Sequence, residues 1–386
     1  MKVAIVGGGT MGLAAAWALA RRGCAVELFE RFGHVHAQGS HGGHTRIIRH
    51  AYHEGSDYVE LVSRADREWT ALAERTQSSL LIRCGLLEFG PGDQPEFKAA
   101  RAALGEHGIR HELLDATPAS ERFGFRIPRE WTACFSPDSG YLRVAACLDA
   151  LRREAEDAGA RLHYGVRVRE LALGGERARI LFEDGRVFAA DRVVVSPGAW
   201  APTLLKTAFG ARLSVLRKVL AWTRAAEPER AILRTLPAWA AFVPEGFFYG
   251  FPDNDEGISG FKLACHSSAE PDELETKLPV DPETVDRSVH EHDLAPLRRF
   301  IERYRPDAGS IVASSVCLYT NTPSGDFWID HHPDDDRYVI AAGFSGHGFK
   351  FAPVIGLGIA ELLCDGHSPL ALPRFGRRAN GVQPML

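Results

Sequence analysis

The chain has 386 residues, of which 45% are hydrophobic, and its 45 basic and 50 acidic side chains give a formal net charge of −5. This length and apolar content fit two domains, and the lack of a basic block in the sequence argues against nucleic acid as a partner. No apolar run in the sequence reaches the ~18 residues that a membrane helix needs, so we expect a cytoplasmic protein without a membrane partner.

The first predicted elements are a strand, a glycine-rich turn and a helix. Residues 2–6 are apolar and β-branched, glycines follow at positions 7, 9 and 12, and residues 11–19 have an apolar helical pattern. In this context the G-x-G-x-x-G spacing allows a tight turn, a close approach of the backbone to a pyrophosphate, and close packing of the helix on the strand. The segment therefore predicts a dinucleotide site with the phosphates at a helix N-terminus.

The second predicted strand, residues 25–29, ends at Glu30. An acidic side chain at this place is expected to accept hydrogen bonds from an adenosine ribose, and it argues against a ribose that carries a 2′-phosphate. The alternative interpretation is a glycine turn that only packs a helix on a sheet.

The middle of the chain alternates helices and strands. The expected elements are a helix at 57–75, a strand at 80–89, a helix at 143–158, a strand at 161–165, a three-stranded meander at 166–190 with turns at 174–175 and 184–185, and a strand and turn at 192–200.

The later part of the chain is predicted to be rich in strands. The expected elements are strands at 214–223, 240–243, 247–251, 260–265 and 316–320, a helix at 282–303, and a glycine-dense turn at 343–351 that opens an apolar helix. These strands indicate a large sheet with helices on one side.

Neither metal nor disulfide chemistry is indicated. Seven cysteines are scattered without C-x-x-C spacing, which favours neither a disulfide framework nor a zinc site. A group of histidines invites a metal interpretation, but they lack the i, i+4 pairing of a defined site, so we expect no metal. These histidines are His34, His36, His41, His44, His50 and His53.

Five short motifs resemble those of the monomeric sarcosine oxidase and N-methyltryptophan oxidase family, within the FAD-dependent D-amino-acid-oxidase-like superfamily. They occur in the same order and at similar spacing over almost the whole chain. The motifs are Gly39-Ser40-His41, Thr45 to Tyr52, Tyr249 to Pro252, Val316 to Thr320 and Gly343 to Lys350.

The resemblance implies an α/β fold with two domains. One is a Rossmann-like FAD-binding domain, and the other is a substrate domain with a large, mostly antiparallel sheet and flanking helices. On this basis the FAD-binding domain comprises residues 1–80, 138–212 and 320–386, and the substrate domain comprises 81–137 and 213–319. The family also implies a monomer whose partners are an amino-acid substrate and O2.

The resemblance implies that FAD is the cofactor and that Cys317 attaches it through a thioether. A thiolate is nucleophilic enough for such a bond near neutral pH, whereas an inert strand cysteine is the alternative from the residues alone. Further positions that match cofactor contacts of the family are Gly7, Gly9, Thr10, Met11, Gly12, Glu30, Arg31, Ser40, His41, Thr45, Arg46, Ile48, Arg49, Val168, Gly198, Trp200, Gly343, Phe344, Gly346, His347, Gly348 and Lys350.

The resemblance also assigns catalytic roles. Arg49 and Lys350 match a clamp for the substrate carboxylate, and Lys262 matches a cation that promotes the reaction with O2. For each of these cations the alternative is a solvated surface charge. His266, Tyr319 and Tyr249 match residues of the substrate pocket.

The implied reaction is oxidation of a secondary amino acid such as sarcosine. A hydride equivalent passes to flavin N5, the imine product hydrolyses, and O2 is reduced to hydrogen peroxide. Gly42, His44 and Ala240 depart from the expected sarcosine oxidase pattern, and the small Ala240 favours a bulkier N-alkyl, aromatic or cyclic amino acid as the alternative. A flavin dehydrogenase that uses another acceptor is a second alternative.

Overall fold

The computed structural model describes residues 1–52, 55–205, 210–269 and 278–376, so the predicted histidine His53 lies outside the described residues. The strands are β1 Lys2–Val6, β2 Ala25–Phe29, β3 Thr45–Ile48, β4 Leu81–Ile82, β5 Leu86–Pro91, β6 Glu112–Asp115, β7 Trp131–Ser136, β8 Gly140–Arg143, β9 Arg161–His163, β10 Val168–Ala172, β11 Ala178–Phe182, β12 Val187–Ala190, β13 Arg192–Val195, β14 Ser214–Arg224, β15 Ala238–Val243, β16 Gly246–Asn254, β17 Gly260–Ser268, β18 Ser310–Asn321, β19 Trp328–His332 and β20 Asp335–Ala342. The helices are α1 Thr10–Arg21, α2 Ser56–Thr76, α3 Pro95–Glu106, α4 Ala116–Phe123, α5 Val144–Asp157, α6 Ala201–Leu204, α7 Glu229–Arg234, α8 Glu291–Tyr304 and α9 Ala352–Asp365.

A parallel sheet holds the N-terminal strand. Its order is β19–β20–β13–β1–β2–β9, and only the β19 edge runs antiparallel to its neighbour. Helices α1 and α9 pack together beside this sheet in one apolar core. Their approach is close, because a Cβ atom at Gly356 would lie 2.3 Å from the carbonyl oxygen of Ala14.

A second, large sheet is mostly antiparallel, with the order β18–β14–β17–β16–β15–β5–β7–β6. Helices α4 and α8 cover one of its faces through apolar contacts that include Phe300 and Trp239. The prediction of helices on one side only is wrong, because α3 packs on the opposite face, where Phe97 stacks on Phe242 at 5.4 Å between ring centroids. The α/β fold with a parallel and a large, mostly antiparallel sheet is confirmed.

Apart from strands that are longer than predicted, such as β18, three predicted elements differ from the structure. The strand expected at 80–89 is two strands in different sheets, since β4 pairs with β8 and β5 pairs with β7 and β15, and Gly85 with φ +80° lies between them. The helix expected at 282–303 begins only at Glu291, where His290 forms a capping box with Asp293. The strand expected at 161–165 ends at His163, two residues before Gly165 at φ +72°.

The meander of β10, β11 and β12 is confirmed, and β13 follows it into the parallel sheet. The proposed domain boundaries stay a prediction. In the described ranges no helix combines the length and apolarity that a membrane crossing requires. The same ranges contain no cluster of three or more metal-binding side chains.

Candidate cofactor and substrate site

The glycine turn between β1 and α1 is closed by backbone contacts that leave no room for side chains. Gly7 has φ +94°, and a Cβ atom there would lie 2.3 Å from the carbonyl oxygen of Ser196. A Cβ atom at Gly12 would lie 1.8 Å from the carbonyl oxygen of Gly7. By contrast, a Cβ atom at Gly9 would meet nothing nearer than the His41 ring at 3.7 Å, so Gly9 borders open space. The turn therefore has the form that a pyrophosphate cradle requires.

Glu30 lies at the carboxyl end of β2, beside this turn. Its carboxylate accepts hydrogen bonds of 2.7 Å from the backbone N–H groups of Gly8 and Phe32. Burial raises the pKa of Glu30, although these two donors oppose the shift. The side chain thus fixes the turn and lines the adjoining cavity.

A cavity of about 450 Å³ extends from this turn to the C-terminal glycine turn and the large sheet. Most of the predicted cofactor contacts lie on its wall, and so does the predicted pocket residue Tyr319. The cofactor contacts on the wall are Gly7, Gly9, Thr10, Met11, Glu30, Arg31, Ser40, His41, Arg46, Val168, Gly198, Trp200, Gly343, Phe344, Gly346 and Gly348.

Other predicted cofactor residues lie behind the wall. Gly12 packs against the turn, and Ile48 belongs to the core around α1. Thr45 is buried and accepts hydrogen bonds from Lys262. His347 turns away toward Phe327, with 4.7 Å between the ring centroids, and its Nε2 lies 3.2 Å from the carbonyl oxygen of Gly325.

One face of the large sheet carries predicted catalytic side chains together with the predicted flavin attachment residue. Cys317 and Tyr319 are two residues apart on β18, so their side chains point to the same face. Strand β14 pairs with both β18 and β17, and its Trp222 and Leu220 pair with Lys262 and Ala264 of β17. On the next strands Ala264 pairs with Tyr249, Tyr249 with Ala240, and Ala240 with Glu88. Because paired residues share a face, the reactive face comprises Cys317, Tyr319, Lys262, Tyr249, Ala240 and Glu88.

Two tyrosines and a histidine are in contact on this reactive face. The hydroxyl oxygens of Tyr249 and Tyr319 are 3.4 Å apart, and the His266 ring lies 5.5 Å from the Tyr319 ring. Burial raises the pKa of both tyrosines, so their hydroxyls stay protonated at neutral pH. Each hydroxyl therefore keeps one proton that it can donate in a hydrogen bond, and Tyr319 lines the cavity.

Lys262 is only 1% exposed. Its Nζ donates hydrogen bonds to the carbonyl oxygen of Gly43 at 2.6 Å and to the carbonyl and hydroxyl oxygens of Thr45, both at 3.1 Å. Burial, followed by the charge of Arg46, lowers the pKa of Lys262 well below the usual lysine value. The three acceptors match the three donors of an ammonium group and oppose that shift.

Cys317 is 1% exposed, and its environment differs from that of an activated thiol. Burial raises its pKa, whereas the charges of Arg46, Lys262 and Lys218 act in the opposite direction. A protonated thiol therefore predominates near neutral pH in the protein alone, and nearby cations stabilise the thiolate when it forms.

Arg49 and Lys350 meet at Tyr52, the last residue of the motif Thr45 to Tyr52, to which the sequence analysis gave no role of its own. The Arg49 guanidinium lies 4.6 Å from the centre of the Tyr52 ring, and Lys350 Nζ donates a 2.7 Å hydrogen bond to the Tyr52 hydroxyl. Both cations are buried. Glu88, which is 1% exposed, lies 3.7 Å from Arg49 and links this pair to the reactive face.

The sequence also did not predict a hydrogen-bonded cluster around Glu283 at the other end of the cavity, which is called the clasp below. Glu283 accepts two hydrogen bonds from Arg31, at 2.6 and 2.8 Å, one from Arg167 at 2.9 Å and one from the Trp200 indole at 3.0 Å. All four residues line the cavity. No local signal marks Glu283 or Glu88, since each acquires its partners only through tertiary packing.

The positions that depart from the family pattern surround Lys262 and Tyr249. His44 has φ +68°, and burial and the charge of Lys262 lower its pKa. Ala240 is buried directly between Tyr249 and Glu88 in the sheet. Its methyl group is the smallest side chain among the residues of the reactive face.

The residues present fit a flavin dinucleotide. The glycine cradle accepts a pyrophosphate, and His41 Nε2 is a buried polar atom with no hydrogen-bond partner within the described ranges. His41 borders both the cradle and the cavity, and burial lowers its pKa to about 3, so it is neutral. A neutral imidazole at this place has a polar atom available for a ligand.

Comparisons with known proteins support this fit. Residues 2–362 match the family model DAO, described as FAD dependent oxidoreductase. The chain is 36% identical to monomeric sarcosine oxidase of Bacillus sp. (strain B-0618) over 370 residues, which cover 94% of this chain and 92% of the relative. It is 30% identical to N-methyl-L-tryptophan oxidase of Yersinia pestis (strain Pestoides F) over 373 residues, which cover 96% and 97% of the two chains.

Solved structures give the same result for the fold. NikD, an amino acid oxidase essential for nikkomycin biosynthesis, matches with a TM-score of 0.82 at 27% identity and covers 97% of this chain and 96% of its own. L-proline dehydrogenase from P. horikoshii matches with a TM-score of 0.80 at 21% identity and 98% coverage of both chains. At this identity the match is evidence for the fold alone. The predicted resemblance is thus confirmed, and the chain belongs to the DAO family of FAD dependent oxidoreductases.

Proposed function

We propose that this protein oxidises a secondary amino acid, such as the N-methyl amino acid sarcosine, and acts as a monomer with O2 as the final electron acceptor. The observation that carries the proposal is the reactive face, where Tyr319 lines the cavity, Lys262 and Tyr249 lie on the same face of the sheet, and Glu88 joins this face to Arg49. The names of the two curated relatives, both oxidases of N-methylated amino acids, support the same substrate class.

Bound FAD would supply the redox chemistry, by accepting the electron pair of the substrate C–H bond next to nitrogen and passing it to O2. The glycine cradle, His41 and the clasp around Glu283 would hold the dinucleotide. The protein therefore contributes position and charge.

Arg49 and Lys350 would bind the substrate carboxylate. A guanidinium holds a carboxylate through two parallel hydrogen bonds, and the ammonium group adds a second charge. Tyr52, which touches both cations, fixes their separation. Glu88 balances the buried charge of Arg49 when no substrate is present.

The tyrosine and histidine cluster would orient the amine. The hydroxyl oxygens of Tyr249 and Tyr319 lie 3.4 Å apart and would bind the amine, and His266 beside Tyr319 is the group that would exchange a proton with the substrate nitrogen. The imine product then hydrolyses to an aldehyde or oxo acid and an amine.

Lys262 would place a positive charge where O2 is reduced. Because the side chain is buried and held by three acceptors, its charge requires no reorganisation when negative charge develops on oxygen. The product is hydrogen peroxide.

A peroxide-coupled assay over sarcosine, N-methyltryptophan, pipecolate and their primary-amine counterparts tests this proposal. Secondary amino acids should bleach the flavin absorbance anaerobically and release peroxide in air. Ala240 favours a bulkier or cyclic substrate as a second candidate, and in that case pipecolate or N-methyltryptophan gives the highest kcat/KM. Bleaching without peroxide release would make the protein a dehydrogenase, and no bleaching with any secondary amino acid would refute the proposal.

We also propose that Cys317 carries the flavin through a thioether bond. Its place on the reactive face between Lys218 and Tyr319, with cations that stabilise a thiolate, supports this role. Cys317→Ala should lose all covalent flavin, whereas Cys265→Ser, a strand cysteine whose register puts it on the opposite face, should keep it. Yellow colour that stays with acid-precipitated Cys317→Ala protein would contradict the assignment.

A further inference from the structure

Two cysteines that are 340 residues apart in sequence meet at the far end of the parallel sheet. The sulfur atoms of Cys24 and Cys364 are 3.9 Å apart, and both thiols are free. Cys24 follows the end of α1 and is buried at 9% exposure, whereas Cys364 lies in the last turn of α9 and is exposed. This pair lies outside the site described above.

Helix packing holds the two segments together. Gly356 contacts Ala14 in the middle of both helices, and Arg22 makes two hydrogen bonds of 2.8 Å to the Asp365 carboxylate beside the cysteines. Since these contacts advance along both helices in the same sense, α1 and α9 run parallel. Their N-termini face the cofactor cavity, and the cysteine pair lies roughly 18 Å away along α1, at 1.5 Å per residue.

We propose that Cys24 and Cys364 form a disulfide when the protein meets hydrogen peroxide, the product of the proposed oxidase reaction. Hydrogen peroxide transfers one oxygen atom to the exposed Cys364 thiol, which becomes a sulfenic acid, and the other oxygen atom leaves as water. The Cys24 thiol then attacks that sulfur, the S–O bond breaks, and water leaves. The balance is two thiols plus one hydrogen peroxide to one disulfide and two waters, with two electrons passing from sulfur to oxygen.

Two features favour this sequence of events over simple overoxidation. The exposed sulfur of Cys364 is the one that peroxide reaches, whereas the buried sulfur of Cys24 is shielded from it. The buried sulfur is already in contact, so the resolving step needs a side-chain rotation and no movement of a domain. The bond would fix the C-terminal ends of α1 and α9 and close a very long loop, which is the case in which a cross-link stabilises most.

The test treats reduced holoenzyme with stoichiometric hydrogen peroxide and follows intact mass and non-reducing peptide maps. The wild type should lose two hydrogen atoms, show a peptide that links Cys24 to Cys364, and gain about 3–6 °C in its thermal midpoint. Cys364→Ser should lose the cross-link and the gain in midpoint, while Cys265→Ser should keep both. Stable sulfinic acid at Cys364, a cross-link between other cysteines, or an unchanged midpoint after cross-linking would overturn the proposal.

Added peroxide tests the cysteine pair without the proposed function, because no turnover is required. A second arm supplies an amino-acid substrate in air, with and without catalase. Cross-linking that catalase suppresses would identify the protein's own product as the oxidant. Cross-linking by added peroxide but not during peroxide-releasing turnover would overturn that part of the proposal.

Discussion

The glycine turn at residues 7–12 and the reactive face of the large sheet differ in what makes each sensitive to substitution. In the turn, backbone atoms occupy the space that side chains would need, as at Gly7 and Gly12. On the reactive face side chains form the contacts, and Lys262 and Glu88 are ionisable groups held almost out of contact with water. Steric fit therefore dominates the first region, and the cost and use of buried charge dominate the second.

The largest effect is expected for Gly12→Ala. Its Cβ atom would overlap the Gly7 carbonyl oxygen at 1.8 Å, so the turn must open and the cradle is lost. We expect purified protein without flavin and without activity, measured as flavin absorbance per chain. Gly105→Ala is the matched control, since this helical glycine in α3 has nothing within 4 Å of a Cβ atom, and its stability should rise by about 0.5–1 kcal/mol. Full flavin content in Gly12→Ala at the wild-type melting temperature would show that steric fit does not govern this region.

The second effect tests buried charge directly. Lys262→Met keeps the volume of the side chain but removes the ammonium group, so flavin reoxidation by O2 should slow by about 10²–10³-fold while anaerobic reduction changes little. Stopped-flow absorbance separates the two half-reactions. Lys218→Met, which removes another buried cation of the same sheet near Cys317, is the control and should slow reoxidation far less. Equal losses in both variants would mean that net charge, and not the place of Lys262, controls the reaction with O2.

The same contrast explains what the sequence could reveal. The turn is contiguous, so its glycines, strand, helix and Glu30 were recognisable from local spacing. The reactive face draws on β5, β15, β16, β17 and β18, and no local pattern brings Glu88 to Arg49. The family resemblance located residues such as Lys262 and Tyr319, but not the partners that set their pKa values, because those partners depend on tertiary packing. The predicted start of the helix at 282–303 was wrong for a related reason. A turn precedes the helix, and the cap formed by His290 places its first residue at Glu291.

The third prediction concerns the cation pair that we assign to the substrate carboxylate. Arg49→Gln should raise KM by about 10²-fold, the effect of losing hydrogen bonds to a charged group, and Arg49→Lys should raise it less. Steady-state kinetics with a saturating O2 supply measure this change. Because Arg49→Gln also leaves Glu88 buried beside a neutral group, its thermal midpoint should fall, and adding Glu88→Gln should restore the midpoint but not KM. Recovery of KM in the double variant would assign Arg49 to the structural pairing with Glu88 alone.

The smallest effect is the pH dependence of the reaction with O2, and it follows from the lowered pKa of Lys262. A lysine is charged below its pKa, so the charge that assists O2 is present at low pH and is lost as pH rises through the lowered value. The reoxidation rate should therefore fall above that value by at most about tenfold per pH unit until it reaches the rate of Lys262→Met, and the fall should begin well below the ordinary lysine pKa of about 10.4. In Lys262→Met the same pH range should give a flat profile, because the remaining rate does not depend on that proton. A wild-type rate that rises with pH would instead point to a base near the site, and the charge of Lys262 would then not control the reaction.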